Sequence, residues 1–171
     1  MHRSRYFFMF VAGVIFVSAS SCDDGPDADC QAEAVLSQDY TRAVSELICR
    51  NGGYHNGRNC VTVLTECRAN QLESRQSFDS VKDSCEDSSG GLFAACGAES
   101  VERAKACQKE WNGTVEAFAS TITCEQFPKS YPSVPAACRE LAGTCPDFVS
   151  QLKSNLESRL QGSGLTKPAG W

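Results

Sequence analysis

The chain has 171 residues, room for one domain or two small ones. Its formal net charge of −5 argues against a nucleic-acid-binding protein, because such a protein needs a basic face to neutralise phosphates. The eleven cysteines predict an oxidising compartment and structural disulfides, since so many thiols would be liabilities in a reducing cytosol. The sequence contains no C-x₂-C pair, so we expect neither a structural zinc site nor a redox-active dithiol, and no cofactor.

The N-terminal residues 1–21 have the three-part layout of a cleavable secretory signal. Arg3 and Arg5 are basic, residues 6–17 form an apolar run, and the small residues 18–21 follow. The run is too short to span a bilayer of about 30 Å as a helix, which disfavours an uncleaved membrane anchor. We therefore expect a soluble, secreted, extracellular protein.

The end of this signal also permits a different anchor. Ala19-Ser20-Ser21-Cys22 resembles the lipobox of bacterial lipoproteins, although Ala19 stands where leucine is usual. Lipidation of Cys22 would leave ten cysteines, enough for five disulfides, whereas an unmodified Cys22 would leave an odd number. The protein would contact a membrane only in this lipid-anchored form.

The first half of the mature chain is predicted to be helical. Residues 22–29 are acidic and predict a flexible leader. Residues 30–50 contain no Gly or Pro, and their apolar residues recur at helical spacing. The glycine-rich residues 51–58 predict a loop, residues 60–85 one long or two shorter helices, and residues 88–91 another break. The first apolar stripe consists of Leu36, Tyr40, Ala43, Val44 and Leu47.

Two further helical stripes follow in the second half. Gly113 lies within the first of them and predicts a kink or break there. Residues 128–135 predict a loop, with Pro135 in the first turn of the next helix. Gly162 ends the last helix, and residues 161–171 predict a disordered tail. The stripes are Val101, Ala104, Gln108, Trp111, Val115, Phe118 and Ile122, and then Phe148, Val149, Leu152, Leu156 and Leu160.

These elements predict an all-α fold, a disulfide-stapled helical bundle over residues 30–160. The cysteine spacings after Cys30 and after Cys107 agree within two residues over three steps. This agreement favours two duplicated helix–loop–helix units, about 30–85 and 107–160. Chance spacing in a cysteine-rich chain is the alternative.

Helix geometry suggests part of the disulfide pairing. Folding segment 30–49 antiparallel against segment 67–85 brings Cys30 to Cys85 and Cys49 to Cys67, because the two spans differ by one residue. The duplication then predicts Cys124–Cys145. The remaining disulfide cysteines stay unassigned: Cys60, Cys96, Cys107 and Cys138.

Catalytic chemistry has little support in the sequence. His55 is the only histidine after the signal and falls in the predicted loop, and there is no Gly-x-Ser-x-Gly nucleophile elbow. We therefore expect a protein that is not an enzyme, with a small secreted hydrolase as the alternative. Asn112-Gly113-Thr114 matches the N-glycosylation sequon, which a eukaryotic secretory pathway would read.

One cysteine-based pattern has a counterpart in other proteins. Its residues are Cys107, Trp111, Cys124, Phe127, Cys138, Leu141 and Cys145. The pattern resembles cysteine-rich helical domains of invertebrate secreted proteins, mostly of unknown activity, and covers about a third of the chain. The resemblance implies secretion and a stapled helical fold, and it implies no site.

The functional expectation is a secreted, non-catalytic binding or interaction protein. It would present segments 51–59 and 126–135 from a rigid scaffold to an extracellular protein or matrix partner. The alternatives are a structural component of a secreted matrix, a lipid-anchored bacterial envelope protein and the small hydrolase.

Overall fold

A computed structural model of the chain describes residues 26–73, 78–87, 93 and 95–171. The predicted signal 1–21, Cys22 and the predicted break at 88–91 lie outside these residues. The described residues form no β-strand, so the structure confirms the all-α, disulfide-stapled bundle. The six α-helices of the described part are α1 Pro26–His55, α2 Cys60–Glu73, α3 Phe78–Asp87, α4 Val101–Ser120, α5 Ala136–Leu141 and α6 Pro146–Arg159.

The central helix α1 packs against α2, α3 and α4, and α4 in turn packs against α5. All three predicted stripes face the interior, with Trp111 and Leu156 fully buried. Phe93 and Leu141 complete the main core, which lies mostly between α1, α4, α5 and α6. The apolar periodicity therefore located the core-facing side of each of these long helices correctly.

Five disulfides link the described helices and the segments between them. The structure contains Cys30–Cys85 and Cys49–Cys67, the two bridges that antiparallel folding of the first half predicts. The first tethers α3 to α1, and the second tethers α2 to α1. Because α2 and α3 are separate helices, Cys67 and Cys85 need not share one face of a single helix.

The pairing Cys124–Cys145 is wrong. Cys124 pairs with Cys60, and Cys145 pairs with Cys96. Cys124 follows the end of α4 and lies at the start of α2. Cys145 comes directly before α6 and lies beside the segment that precedes α4.

The fifth bridge joins Cys107 of α4 to Cys138 of α5. Its counterpart under the proposed duplication would be Cys30–Cys60, but Cys30 pairs with Cys85. The disulfide pattern thus does not repeat between segments 30–85 and 107–160, and it gives the duplication no support.

The structure also corrects both ends of α1. The helix begins at Pro26, so residues 26–29 of the predicted flexible leader are helical. Pro26 suits a first helical position, where its missing N–H has no intrahelical acceptor. At the other end α1 continues through the glycines of segment 51–58 as far as His55. Packing against the Cys60–Cys124 bridge offsets the low helix propensity of Gly53, a cost of about 1 kcal/mol per glycine.

Two predictions for the second half need correction as well. Helix α4 runs without a break through Gly113, because Trp111 and Asn112 before that position and Val115 after it are buried and hold the helix on both sides. Pro135 precedes α5 rather than occupying its first turn.

The predicted disordered tail 161–171 is ordered. The backbone N–H of Thr166 donates to Lys129 O (3.0 Å), and that of Tyr131 donates to Thr166 O (3.0 Å). The terminal ring of Trp171 lies 4.8 Å from the ring of Tyr131. Its indole Nε1 donates to Glu157 Oε1 (2.5 Å). A large aromatic side chain with a polar partner thus holds a segment that is otherwise rich in turn residues.

Within the described residues, no helix combines the length and apolarity needed to cross a membrane.

Candidate functional site

The two segments that the sequence singled out for recognition lie side by side. Tyr54 and His55 end α1, and the ring of Phe127 lies 4.9 Å from the first and 5.7 Å from the second. The rings of Tyr54 and His55 are themselves 5.3 Å apart in an edge-on arrangement. The Tyr54 and Phe127 side chains are half-buried and His55 is exposed. We call Tyr54, His55 and Phe127 the aromatic surface.

Three connections hold the two segments of this surface together. The Cys60–Cys124 bridge joins a residue five positions after His55 to a residue three positions before Phe127. A Cβ atom on Gly53 would lie 3.2 Å from the Cys60 sulfur, so only glycine lets α1 approach the bridge this closely. Nearby, the Arg50 guanidinium donates to Ile122 O (2.9 Å).

Local hydrogen bonds fix each segment. Asn56 closes the end of α1, because its side-chain amide donates to Gly52 O (2.7 Å). In the second segment the Thr123 hydroxyl accepts from the backbone N–H of Gln126 (3.0 Å), and Thr123 N–H donates back to Gln126 O (2.9 Å). This turn projects Phe127 towards α1. The segments are therefore ordered before any partner binds, which lowers the entropic cost of association.

The rim of the aromatic surface is cationic and polar. Arg58 and Lys129 are exposed, as are the side chains of Asn56 and Asn59. Over residues 54–59 and 124–129, which flank the aromatic surface, Glu125 is the one acidic residue, so the fixed charges there sum to +1, against −5 for the whole chain. A locally positive rim around aromatic side chains is a composition typical of interaction surfaces, which are enriched in Tyr, Phe and Arg.

Two carboxylates of the described residues, Glu46 and Glu157, have a pKa that hydrogen bonds from neighbouring side chains lower. The ring contacts of His55 are Tyr54 and Phe127, which are not carboxylate partners. Hydrogen bonds from Arg68 and Arg50 lower the pKa of Glu46, against the opposing effect of its partial burial. Hydrogen bonds from Lys167 and Trp171 lower the pKa of Glu157. A carboxylic acid that donates a proton near neutral pH would need a raised pKa.

The other predicted site residues lie elsewhere. All ten cysteines from Cys30 to Cys145 are in disulfides, and the described residues contain no group of three or more potential metal ligands. Asn112 is buried between α4 and α1, where its amide donates to Leu36 O (2.8 Å). A glycan on that amide would have to displace α1, which argues against glycosylation of the folded chain. The sequence missed this burial because Asn112 is polar and lies outside the predicted stripe, so the buried face of α4 is wider than that stripe.

Comparison with known proteins adds no family to this geometry: no family model, curated protein or solved structure matches the chain.

Proposed function

We propose that the protein is exported and binds a partner protein through the aromatic surface, without catalysing a reaction. The observation that carries this proposal is the joining of segments 54–59 and 124–129 by the Cys60–Cys124 bridge and the Tyr54–Phe127 contact. The five disulfides indicate an oxidising environment, which supports export. A rigid scaffold that presents ordered loop residues is the usual arrangement of a binding protein.

The chemistry of the surface specifies the kind of partner. Arg58 and Lys129 favour a segment that carries carboxylates, and the Tyr54 and Phe127 rings favour an apolar side chain beside them. The proposed partner is therefore an extracellular protein with an acidic segment that includes at least one large apolar residue. Because the rim charges are exposed, their contribution should weaken with added salt.

A pair of matched variants tests the proposal. The oxidised wild-type chain, Phe127→Ala, Arg58→Glu and the control Val35→Ala would each be incubated with native secretions of the source, and bound proteins would be quantified by mass spectrometry. Val35 is 47% exposed on α1, nineteen residues before Tyr54 and a helical distance of about 28 Å away, so its replacement removes apolar surface far from the aromatic surface. We expect Phe127→Ala and Arg58→Glu to lose at least 90% of a salt-sensitive partner that Val35→Ala retains.

Equal recovery of the same proteins by all variants would contradict the proposal. Recovery of the chain only in an insoluble extracellular fraction, unchanged by Phe127→Ala, would favour a structural matrix component. A hydrolytic activity lost in His55→Ala would favour the small hydrolase.

A lipid-anchored form is a second candidate, and cysteine parity favours it. Ten of the eleven cysteines form the five bridges, so no other cysteine of this chain is available to pair with Cys22. The mass of the mature N-terminal peptide tests this candidate. Diacylglycerol on Cys22 would support the anchor, whereas a peptide that begins elsewhere, or an unmodified Cys22, would contradict it.

A further inference from the structure

One reactive dipeptide, asparagine followed by glycine, recurs along the chain. In such a pair the backbone nitrogen of the glycine can attack the side-chain carbonyl carbon of the asparagine, because glycine has no Cβ to obstruct the approach. The structure places the pairs in different surroundings, and these decide which asparagine can react. The three pairs are Asn51-Gly52, Asn56-Gly57 and Asn112-Gly113.

Two of these pairs lie inside helices. Asn51-Gly52 belongs to α1, and Asn112-Gly113 belongs to α4. Asn112 is also buried, and its amide donates to Leu36 O (2.8 Å). The attack requires the backbone between asparagine and glycine to rotate out of the helical conformation. Both of these asparagines can therefore react only when their helix opens.

The third pair follows the end of α1. Helix α1 ends at His55, and both Asn56 and Gly57 are exposed. The φ angle of Gly57 is +52°, a left-handed value that favours glycine, so the turn itself needs the residue that makes Asn56 reactive. Rotation towards the reactive geometry breaks two hydrogen bonds. They run from Asn56 Nδ2 to Gly52 O (2.7 Å) and from Asn59 N–H to Asn56 O (3.1 Å).

We propose that Asn56 is a site of spontaneous deamidation and that this modification loosens the last turn of α1. The Gly57 nitrogen gives its proton to solvent and attacks Asn56 Cγ. The new N–C bond closes a succinimide ring, and the Cγ–Nδ2 bond breaks with loss of ammonia. Water then adds to either ring carbonyl and breaks its bond to nitrogen, which gives aspartate or isoaspartate. The net reaction consumes water and converts an amide into a carboxylate and an ammonium ion.

The new carboxylate acts directly on the end of α1. The Asn56 amide donates to Gly52 O, whereas a carboxylate has no proton to donate and repels that oxygen. A negative charge at the C-terminal end of a helix also opposes the helix dipole. Both effects loosen the turn that carries Tyr54 and His55, two of the three residues of the aromatic surface.

The consequence for partner binding rests on the function proposed above. The added negative charge cancels the +1 sum over residues 54–59 and 124–129, so the rim attracts an acidic partner less. Deamidation would thus switch the aromatic surface off as the exported chain ages. The modification and its effect on α1 require no partner, so they can be tested separately.

Peptide mapping of the folded, oxidised protein tests the site. The protein would be incubated at physiological pH and temperature, and mass spectrometry would follow deamidation at each of the three asparagines. We expect Asn56 to react at least about tenfold faster than Asn51 and Asn112, because those two react only from opened states of their helices. The reduced, denatured chain is the matched control, in which the three rates should become similar.

Two variants test the effect on α1. Asn56→Asp carries the charge of the product at the same position, and Asn59→Asp carries it on another exposed residue three positions later. Amide exchange measured by NMR should be at least about threefold faster at Tyr54 and His55 in Asn56→Asp than in Asn59→Asp. The reason is that only Asn56→Asp removes the hydrogen bond to Gly52 O and places the charge at the helix end.

The binding assay described above tests the switch. Asn56→Asp should lose at least about half of the salt-sensitive partner that Val35→Ala retains. Full retention by Asn56→Asp of a partner that Phe127→Ala loses would contradict the switch. If Phe127→Ala retains the same partners too, the proposed function fails, whereas peptide mapping still decides the site.

Two results would overturn the proposal irrespective of any partner. Equal rates at the three asparagines of the folded protein, or an unmodified Asn56, would contradict the assigned site. Unchanged amide exchange at Tyr54 and His55 in Asn56→Asp would contradict the effect on α1.

Discussion

Helices α2 and α3 differ from α4 and α6 in how they are attached to the rest of the chain. Among the side chains described, α2 buries only Cys60 and α3 buries only Cys85. By contrast, α4 and α6 bury long apolar stripes, and neither α2 nor α3 contributes a residue to the main core. One side of α1 therefore packs against α4 and α6 through a hydrophobic interface. On the other side, α2 and α3 are attached to α1 mainly by disulfides.

This difference shows what the disulfides do in this fold. Cys30–Cys85 closes a loop of 55 residues and Cys49–Cys67 one of 18. Restricting the unfolded chain by such loops stabilises the folded state by about 4 and about 3 kcal/mol respectively in the chain-entropy model. A chain with a modest core can thereby keep two weakly buried helices in place and extend the scaffold.

The largest expected loss of stability comes from a substitution in the hydrophobic core on the α4 side of α1. Trp111→Ala should lower the free energy of unfolding by about 4 kcal/mol, because it removes a fully buried ring from the centre of the core. Val61→Ala on α2 should change it by less than about 0.5 kcal/mol. Chemical denaturation of the oxidised proteins measures both. Similar losses for the two variants would break the distinction between the two sides.

The next largest expected loss of stability concerns the disulfide that attaches α2 to α1. Replacing Cys49 and Cys67 together by alanine should cost about 3 kcal/mol. In this variant the amides of α2 should exchange rapidly, while those of α4 stay protected. Hydrogen exchange followed by mass spectrometry measures the protection of both helices. A double variant with wild-type protection in α2 would show that side-chain contacts alone hold that helix.

Two neighbouring glycines near the end of α1, Gly52 and Gly53, test how closely this helix packs against Cys60 of α2. Gly53→Ala should destabilise the protein by about 1–2 kcal/mol, because its Cβ would lie 3.2 Å from both the sulfur and the carbonyl oxygen of Cys60. Gly52→Ala is the matched control: its Cβ would meet only Val63 Cγ1, at 4.0 Å. We expect it to stabilise the helix by up to about 1 kcal/mol. Thermal melting of the two variants should therefore shift in opposite directions.

An ionic contact adds a smaller contribution to the attachment of α2. Glu46 of α1 accepts hydrogen bonds from Arg50 (2.5 Å) and from Arg68 of α2. Glu46→Gln should cost about 1 kcal/mol, since the cluster is partly exposed to solvent. The pKa of Glu46 is lowered in the folded state, so its contribution is present at neutral pH and disappears as the pH falls through the folded pKa. Wild type and Glu46→Gln should therefore converge in stability in acid; a constant difference would contradict this.

The smallest effect is local, at the C-terminus. Lys167 and Trp171 lower the pKa of Glu157 below its ordinary 4.5, so protonation at lower pH weakens both contacts. The Trp171 indole N–H resonance should shift in acid while that of the buried Trp111 stays constant. Glu157→Gln should remove the pH dependence. An unchanged Trp171 signal down to the acid unfolding transition would contradict the assigned contact.

The sequence predicted what depends on local periodicity. The three apolar stripes follow from helical spacing, and the bridges of α1 to α2 and α3 follow from antiparallel folding of neighbouring segments. It did not predict Cys60–Cys124, since that bridge joins residues 64 apart and depends on how α4 crosses α1. The assumed duplication then led to the wrong prediction that Cys124 pairs with Cys145.

The candidate site was predicted in part. Both segments of the aromatic surface were singled out from their glycine and proline content, but their contact through Tyr54 and Phe127 is a tertiary feature. The helical geometry of residues 51–55 was missed because glycine propensity is a weak guide where a bridge packs against the backbone. The order of the C-terminal segment could have been suspected from Trp171, a large aromatic residue in a stretch otherwise typical of a tail.

The claim that sulfur holds one side of α1 and apolar packing the other is tested most directly by amide exchange. The chain with Cys30, Cys49, Cys67 and Cys85 replaced by alanine would be compared with wild type, helix by helix. The account predicts that α2 and α3 lose most of their protection while α4 and α6 keep theirs. Equal loss of protection in all of these helices, or full protection of α2 and α3, would contradict it.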